Sequence, residues 1–274
     1  MTFNFKGPLV LAGAGKMGGA MLKGLLAKGL DAKHVIIQDP APPADAADLA
    51  KRHAIQIVPE IGKLAVPPAV IIAAVKPQVM EAVFPTLARH AGPDTLVISI
   101  AAGRSIASFE KHLSPGIAVV RAMPNTPAAI GRGITVCAAN VHVKAAQRQL
   151  ANDLLSAVGE VGWIDDEALM DAVTAVSGSG PAYVFLLAEC LAEAGRKAGL
   201  DAALAMRLAR ATVSGSGELL AQSDLDPATL RQSVTSPGGT TAAALSVLMG
   251  PNGLQDILIK AVAAAVKRGQ ELAK

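Results

Sequence analysis

Two glycines and two threonines lie side by side in the segment Val234-Thr235-Ser236-Pro237-Gly238-Gly239-Thr240-Thr241. An apolar run over residues 242–249 follows this segment and predicts a helix. Glycine leaves backbone N–H groups uncovered, and the first N–H groups of a helix point toward whatever lies in front of it. A small carboxylate suits such a site. Alternatively, the two threonines would only cap the helix, without any ligand.

A second glycine-rich segment, Gly13-Ala14-Gly15-Lys16-Met17-Gly18, has the pattern G-x-G-x-x-G between a predicted strand and a predicted helix. In this pattern the first glycine makes a tight turn, the second lets a pyrophosphate approach the backbone, and the third allows the helix to pack on the strand. Asp39 follows at the expected distance of about 20 residues. The segment therefore predicts a dinucleotide site. A P-loop is excluded because Gly19-Ala20 stand where lysine and serine or threonine are required.

Three further loops follow predicted strands, where ligands bind in α/β sheets. In the loop Val75-Lys76-Pro77-Gln78, Lys76 is predicted either to contact the cofactor or to be a solvated surface lysine. The loop Ala101-Ala102-Gly103 follows the next strand. In Met123-Pro124-Asn125-Thr126-Pro127, two prolines hold the asparagine in place. We predict that this loop either forms a wall against the nicotinamide or is a rigid turn that contacts no ligand.

The distribution of strands and helices predicts two domains. Apolar strands alternate with helices in the first part of the chain, which is typical of a parallel sheet covered on both faces. We predict strands at residues 8–12, 35–38, 55–58, 70–75, 96–100, 117–121 and 134–138. The fold class is therefore α/β, with an N-terminal Rossmann-type doubly wound sheet over residues 1–164 followed by an all-α domain over residues 165–274.

The predicted helices of the second domain are apolar on nearly every face. They cover residues 168–176, 181–198, 202–222, 227–232, 241–248 and 253–273. A helix that is apolar all round must be buried. Because this domain alone cannot cover so many apolar faces, it predicts an obligate homodimer.

Composition excludes several classes of protein. The formal net charge is only +3 and aromatic residues make up 3%, so a nucleic-acid groove is not expected. Cys137 and Cys190 lie among apolar residues, have no metal-ligand spacing, and are predicted to be small buried side chains. No apolar run reaches the ~18 residues of a membrane span without a charge or a proline. The N-terminal residues 3–6 do not resemble a cleavable signal, so we expect a cytoplasmic protein.

The distribution of proton donors points to a particular substrate. No histidine follows His142, and no lysine lies between Lys144 and Lys197. A dehydrogenase that reduces a ketone needs a donor for the forming alkoxide. Tyr183 is one candidate, although its apolar neighbours favour a core position. A substrate that already carries its proton, such as an iminium, suits a site without an acid.

Taken together, the motifs resemble those of pyrroline-5-carboxylate reductases in order and spacing, over essentially the whole chain. The matching segments are residues 13–18, 75–77, 123–127, 177–183 and 234–241. The resemblance implies reduction of 1-pyrroline-5-carboxylate to L-proline, the last step of proline biosynthesis, with NADPH or NADH. It also implies a helical domain that interlocks in a homodimer, and many members of the family assemble into decamers.

The resemblance assigns roles to individual residues. It implies a substrate-carboxylate site at Ser236, Gly239, Thr240 and Thr241, with Thr241 also near the ring nitrogen as the catalytic residue and Glu167 close to the product. Together with the glycine motif, it implies cofactor contacts by Ala12, Gly13, Ala14, Gly15, Lys16, Met17, Gly18, Asp39, Ala74, Val75, Lys76, Pro77, Ile100, Ala101, Ala102 and Asn125. No metal is expected.

Asp39 departs from the family pattern, because relatives carry a small hydroxyl residue there that tolerates the 2′-phosphate of NADP. Asp39 therefore argues for NADH. Two alternatives remain at this stage. One is another imine or β-hydroxyacid dehydrogenase of the same two-domain plan, although the β-hydroxyacid enzymes need a lysine that residues 145–196 lack. The other is an NAD-sensing protein without enzymatic activity.

Overall fold

The computed structural model describes Phe3 and residues 5–272. Asn4 of the N-terminal segment and Ala273, the last residue of the last predicted helix, lie outside the described residues. Within them, eight strands form one sheet in the order β3-β2-β1-β4-β5-β6-β7-β8. The strands are β1 Leu9–Ala12, β2 Val35–Gln38, β3 Gln56–Val58, β4 Val70–Ala73, β5 Leu96–Ser99, β6 Ala118–Met123, β7 Gly133–Ala139 and β8 Gly159–Trp163.

Helices cover both faces of this sheet. They are α1 Lys16–Ala27, α2 Ala44–Arg52, α3 Pro77–Ala88, α4 Ile106–Glu110, α5 Ala145–Leu155 and α6 Met170–Val173, which a π-helical turn at Thr174–Gly178 follows. Leu9 and Leu11 belong to one buried cluster, and Val10 and Ala12 belong to the other. Alternate residues of a strand point to opposite faces, so a strand buried on both sides is apolar throughout.

Two features of the sheet were not expected. Strand β8 was missed because Gly-Glu-Val-Gly-Trp has no continuous apolar run. Strands β6 and β7 are antiparallel, whereas all other neighbours are parallel. Only the short 3-10 helix Thr126–Ile130 connects β6 to β7, and a parallel crossover needs a longer connection. The expectation of a wholly parallel sheet was therefore wrong at this pair.

The chain forms two compact units. Of the described residues, the first unit comprises Phe3, residues 5–178 and residues 266–272, and the second comprises residues 179–265. This division lies after the expected boundary at 164/165. The segment between the two positions belongs to the first unit, because Met170 is fully buried in one of the clusters of the sheet.

The second unit is helical, as expected. Its helices are α7 Gly180–Lys197, α8 Ala202–Gln222, α9 Pro227–Ser233, α10 Thr240–Leu248 and the first part of α11 Leu254–Leu272. Among its described residues, only three alanines of α7 and α8 are buried apolar side chains: Ala192, Ala205 and Ala209. Large apolar side chains stay exposed, including Phe185 at 63% and Val247 at 75%. The predicted burial of these helices is therefore not achieved within one chain.

Two further observations concern α7. Cys190 is exposed in the single chain, so its predicted burial is not found there, whereas Cys137 in β7 is buried as expected. By length and composition alone, the helical stretch Glu167–Lys197 is apolar enough to cross a membrane, and its most apolar window is only 11% buried. The exposed leucines and Phe185 of α7 account for both properties.

Candidate active site

The glycine motif forms the turn between β1 and α1. Gly13 has a φ of +91°, and a Cβ built on it would lie 2.8 Å from the carbonyl oxygen of Ala74. A Cβ on Gly18 would lie only 2.1 Å from the carbonyl oxygen of Gly13. By contrast, a Cβ on Gly15 would meet no atom within 4 Å, so open space lies in front of this residue. The three glycines thus have the roles that a pyrophosphate site requires.

The first turn of α1 favours an anion. It contains no acidic residue, begins at Lys16, and has Gly15 in the N-cap position without a side-chain cap. The first N–H groups of a helix have no partner within the helix, and the helix dipole adds partial positive charge there. The turn therefore fits the pyrophosphate of a dinucleotide.

Asp39 lies beside this turn and is held in place by two backbone groups. The N–H of Ala14 donates to its Oδ2 at 2.8 Å, and the N–H of Ala41 donates to its Oδ1 at 2.9 Å. The carboxylate is thus anchored directly to the glycine loop. Each oxygen keeps a second lone pair with which it can accept a further hydrogen bond.

Arg104 ties the loop after β5 to the start of α3. Its guanidinium pairs with Glu81 of α3 and donates to the carbonyl oxygen of Pro77 at 2.9 Å. Pro77 is the first residue of α3. Arg104 follows Gly103, which has a φ of +70°. The sequence contained no signal for this contact, since a single arginine after a glycine indicates no partner.

Asn125 and Glu167 also have structural partners within the first unit. The Oδ1 of Asn125 accepts a hydrogen bond from the N–H of Ile134 at 3.0 Å, which anchors the start of β7. The Oε1 of Glu167 accepts hydrogen bonds from the N–H of Ile106 and from Nη1 of Arg121, each at 2.9 Å. Arg121 in β6 is buried. The ligand roles of Asn125 and Glu167 stay predictions.

In the second unit, the segment before α10 is a tight turn. The N–H of Gly239 donates to the carbonyl oxygen of Ser236 at 3.1 Å, and Gly238 has a φ of +69°. Proline followed by a glycine with positive φ is the pattern of a type II turn. A Cβ on Gly239 would lie 2.5 Å from Oγ of Ser236 and 3.2 Å from its carbonyl oxygen, so a larger residue here would force the Ser236 hydroxyl to move.

The turn delivers three hydroxyl groups to the start of α10. Gly239 is the N-cap residue and no side chain caps the helix, so Thr240 and Thr241 are its first two residues. Capping by the threonines was an alternative explanation of this segment, and it was wrong. The hydroxyls of Ser236, Thr240 and Thr241 make no hydrogen bond to any residue that the structure describes. Because the first turn also has no acidic residue, it suits a carboxylate.

Other reactive groups are poorly placed for chemistry. Burial raises the pKa of the Cys137 thiol to about 12, so this cysteine stays protonated and unreactive near neutral pH. Within α6, the π-helical turn and α7, the only lysine is Lys197, which lies in the last turn of α7 near Glu193. Among residues 3 and 5–272, no group of three or more metal-ligating side chains could hold a metal ion.

Comparisons with known proteins identify the family. The model of the pyrroline-5-carboxylate reductase dimerisation domain matches residues 167–272, and the model of NADP oxidoreductases described as coenzyme F420-dependent matches residues 9–103. A pyrroline-5-carboxylate reductase of Pseudomonas aeruginosa is 43% identical over 97% of this chain and 97% of its own length. A pyrroline-5-carboxylate reductase of Synechocystis is 44% identical over 97% of this chain and 98% of its own length. This chain belongs to the pyrroline-5-carboxylate reductase family.

Solved structures of the family have the same fold. The pyrroline-5-carboxylate reductase of Coxiella burnetii matches with a TM-score of 0.90 and 35% identity, over 98% of this chain and 100% of that one. The Plasmodium falciparum enzyme, solved with NADP bound, matches with a TM-score of 0.81 and 29% identity. The match covers 97% of this chain and 98% of that one. The family assignment therefore rests on the whole chain. It excludes the β-hydroxyacid dehydrogenase alternative, as does the absence of lysine from residues 145–196.

The glycine geometry makes a testable prediction. We expect Gly18→Ala to lower the free energy of unfolding by about 1–3 kcal/mol or more, because its Cβ would collide with a backbone oxygen. Gly15→Ala should fold with the wild-type melting temperature but bind the cofactor weakly, since its methyl group would occupy the open space in front of the loop. Thermal melts and cofactor titrations measure both effects. A Gly18→Ala variant with the wild-type melting temperature would contradict this packing.

Proposed function

We propose that this protein reduces 1-pyrroline-5-carboxylate to L-proline, the last step of proline biosynthesis. The observation that carries the proposal is the turn before α10, which leaves three hydroxyls and the first N–H groups of the helix available to a small carboxylate. Relatives that match over the whole chain are pyrroline-5-carboxylate reductases, which supports this substrate.

In the proposed reaction, the N–H groups at the start of α10 bind the substrate carboxylate, with Ser236, Gly239 and Thr240 around it. The hydroxyl oxygen of Thr241 accepts a hydrogen bond from the N–H of the protonated imine, and this bond orients the ring. When bound, the reduced nicotinamide supplies the hydride that adds to the C=N carbon. No protein acid is needed, because hydride addition discharges the iminium and creates no oxyanion.

A direct assay tests the substrate. Oxidation of NADH or NADPH is followed by the loss of absorbance after adding 1-pyrroline-5-carboxylate, and L-proline is identified as the product. A 3-oxoacid serves as the control substrate for a ketone-reducing enzyme. Oxidation of the cofactor with the oxoacid but not with the imine would overturn the proposal. A protein that binds NADH and reduces neither compound would support the cofactor-sensing alternative.

We further infer that NADH is the preferred cofactor. In the connection from β2 to α2, Pro40, Pro42 and Pro43 have no N–H group, and the N–H of Ala41 already donates to Asp39. The next side chain that carries a charge is another carboxylate, Asp45. A 2′-phosphate would thus meet negative charge and no donor from this connection, whereas the two ribose hydroxyls of NADH can donate to Asp39.

Asp39→Asn tests this preference, since it removes the charge and keeps one acceptor oxygen. Two unit charges ~4 Å apart repel by roughly 4 kcal/mol at an effective dielectric near 20, and solvent screening reduces this value. We therefore expect wild-type kcat/KM to favour NADH by about one to two orders of magnitude, and Asp39→Asn to remove most of that ratio. Asp45→Asn is the matched control and should keep the ratio. Equal kcat/KM values for the two cofactors in the wild type would refute the preference.

We also infer that the active protein is a cytoplasmic homodimer formed by the second unit. The exposed apolar helices of this unit and the match to the family's dimerisation model support the inference. Sedimentation velocity of the active enzyme tests the dimer and also the decamer that the family resemblance implies.

A further inference from the structure

We propose that the carboxamide of Gln38 forms a hydrogen bond to the adenosine half of the nicotinamide cofactor. This inference deepens the proposed function, because it rests on a dinucleotide binding at the glycine loop. Gln38 is the last residue of β2 and directly precedes Asp39. It also touches the glycine loop, since its carbonyl oxygen accepts a hydrogen bond from the N–H of Gly13 at 2.8 Å.

The side chain of Gln38 lies on an apolar face. Its register partners are Ala12 on β1 and Val58 on β3, and paired residues of parallel strands share one face of the sheet. Ala12 is fully buried in the cluster on this face, and Val58 packs against that cluster. Leucine or valine would suit such surroundings, yet the residue is a glutamine.

The carboxamide has no hydrogen-bond partner within the part of the chain that the structure describes. Gln38 is only 7% exposed, and its Oε1 is buried without a hydrogen bond. Among the residues that the structure describes, no group bonds its Nε2 either. Buried polar groups without a partner are rare, and each one destabilises the folded state. A ligand that binds at this edge of the sheet gives the group a partner.

The chemistry of the group indicates which part of the cofactor it contacts. A neutral carboxamide both donates and accepts, as do a ribose hydroxyl and the edge of adenine, whereas a phosphate only accepts. Asp39 lies next to Gln38, and in this fold the acidic residue at the end of the second strand contacts the adenosine ribose. Gln38 is therefore within the adenosine part of the site and not at the nicotinamide.

Calorimetric titration of the full-length protein with ADP-ribose tests the proposal. Gln38→Leu and Gln38→Met remove the carboxamide and keep an apolar side chain of similar size. Both should raise the Kd for ADP-ribose about five- to tenfold, the effect of one lost hydrogen bond. Nicotinamide mononucleotide should bind as it does to the wild type. Gln56→Leu, at the exposed start of β3, is the matched control and should change neither Kd.

The melting temperature separates this role from a structural one. Without cofactor, both Gln38 variants should be at least as stable as the wild type, because they remove an unpaired buried group. The KM for NADH should rise while kcat stays unchanged. A Kd for ADP-ribose within twofold of the wild-type value in both variants overturns the proposal. Weakened binding in only one of the two variants also overturns it, because that result would indicate an effect of side-chain shape. Loss of pyrroline-5-carboxylate reduction with intact ADP-ribose binding would refute only the proposed function.

Discussion

Replacing Phe185 by glutamate is expected to abolish both the dimer and the reductase activity. Phe185 lies on α7, is 63% exposed in the single chain, and belongs to a unit whose only buried apolar side chains, among the described residues, are three alanines. In the proposed dimer a partner chain covers this helix, so the new glutamate carboxylate would be buried without a counter-ion. Burial of an unpaired charge costs several kcal/mol, which lowers the dimer affinity on the order of a hundredfold or more. Sedimentation velocity and the reductase assay at the same concentration measure both losses.

Val141→Glu is the control for this experiment. Val141 is 94% exposed, and it lies in the first unit between β7 and α5. A glutamate there should leave assembly and activity unchanged. An active monomer carrying Phe185→Glu would show that α7 does not form the interface and that one chain suffices for catalysis.

Replacing Thr241 by alanine is expected to lower kcat/KM by about one to two orders of magnitude. A hydrogen bond to a charged group contributes roughly 1.5–3 kcal/mol, and the proposed bond joins the threonine hydroxyl to the protonated imine. Activity should not be abolished, because the substrate brings its own proton. Steady-state kinetics over a range of 1-pyrroline-5-carboxylate concentrations measure the loss.

The stability of the same variants decides between catalysis and structure. Thr241 is the second residue of α10 and makes no hydrogen bond to the described residues, so Thr241→Ala should melt at the wild-type temperature. Thr241→Ser keeps the hydroxyl and should retain near wild-type kinetics. A Thr241→Ala enzyme with reduced stability and unchanged kcat/KM would assign the residue a structural role only.

Features that depend on neighbouring residues could be predicted from the sequence. The glycine loop is one example, because the tight turn, the open position at Gly15 and the close helix contact at Gly18 all arise within six residues and the strands beside them. Strands β1, β2, β4 and β5 were also predicted, since a strand buried on both faces is apolar throughout. The turn before α10 follows from the order proline, glycine, glycine.

The tertiary structure decided what depends on distant residues. Strand β8 has too few apolar residues to be recognised, and it forms only because β7 lies beside it. Glu167 pairs with Arg121, 46 residues away in the chain, and no sequence pattern specifies that contact. The buried carboxamide of Gln38 could not be foreseen either, because local sequence does not reveal whether a polar group finds a partner. Residue types and the spacing of apolar residues thus determined most strands and helices and the cofactor loop, whereas the packing of the sheet determined which side chains contact each other.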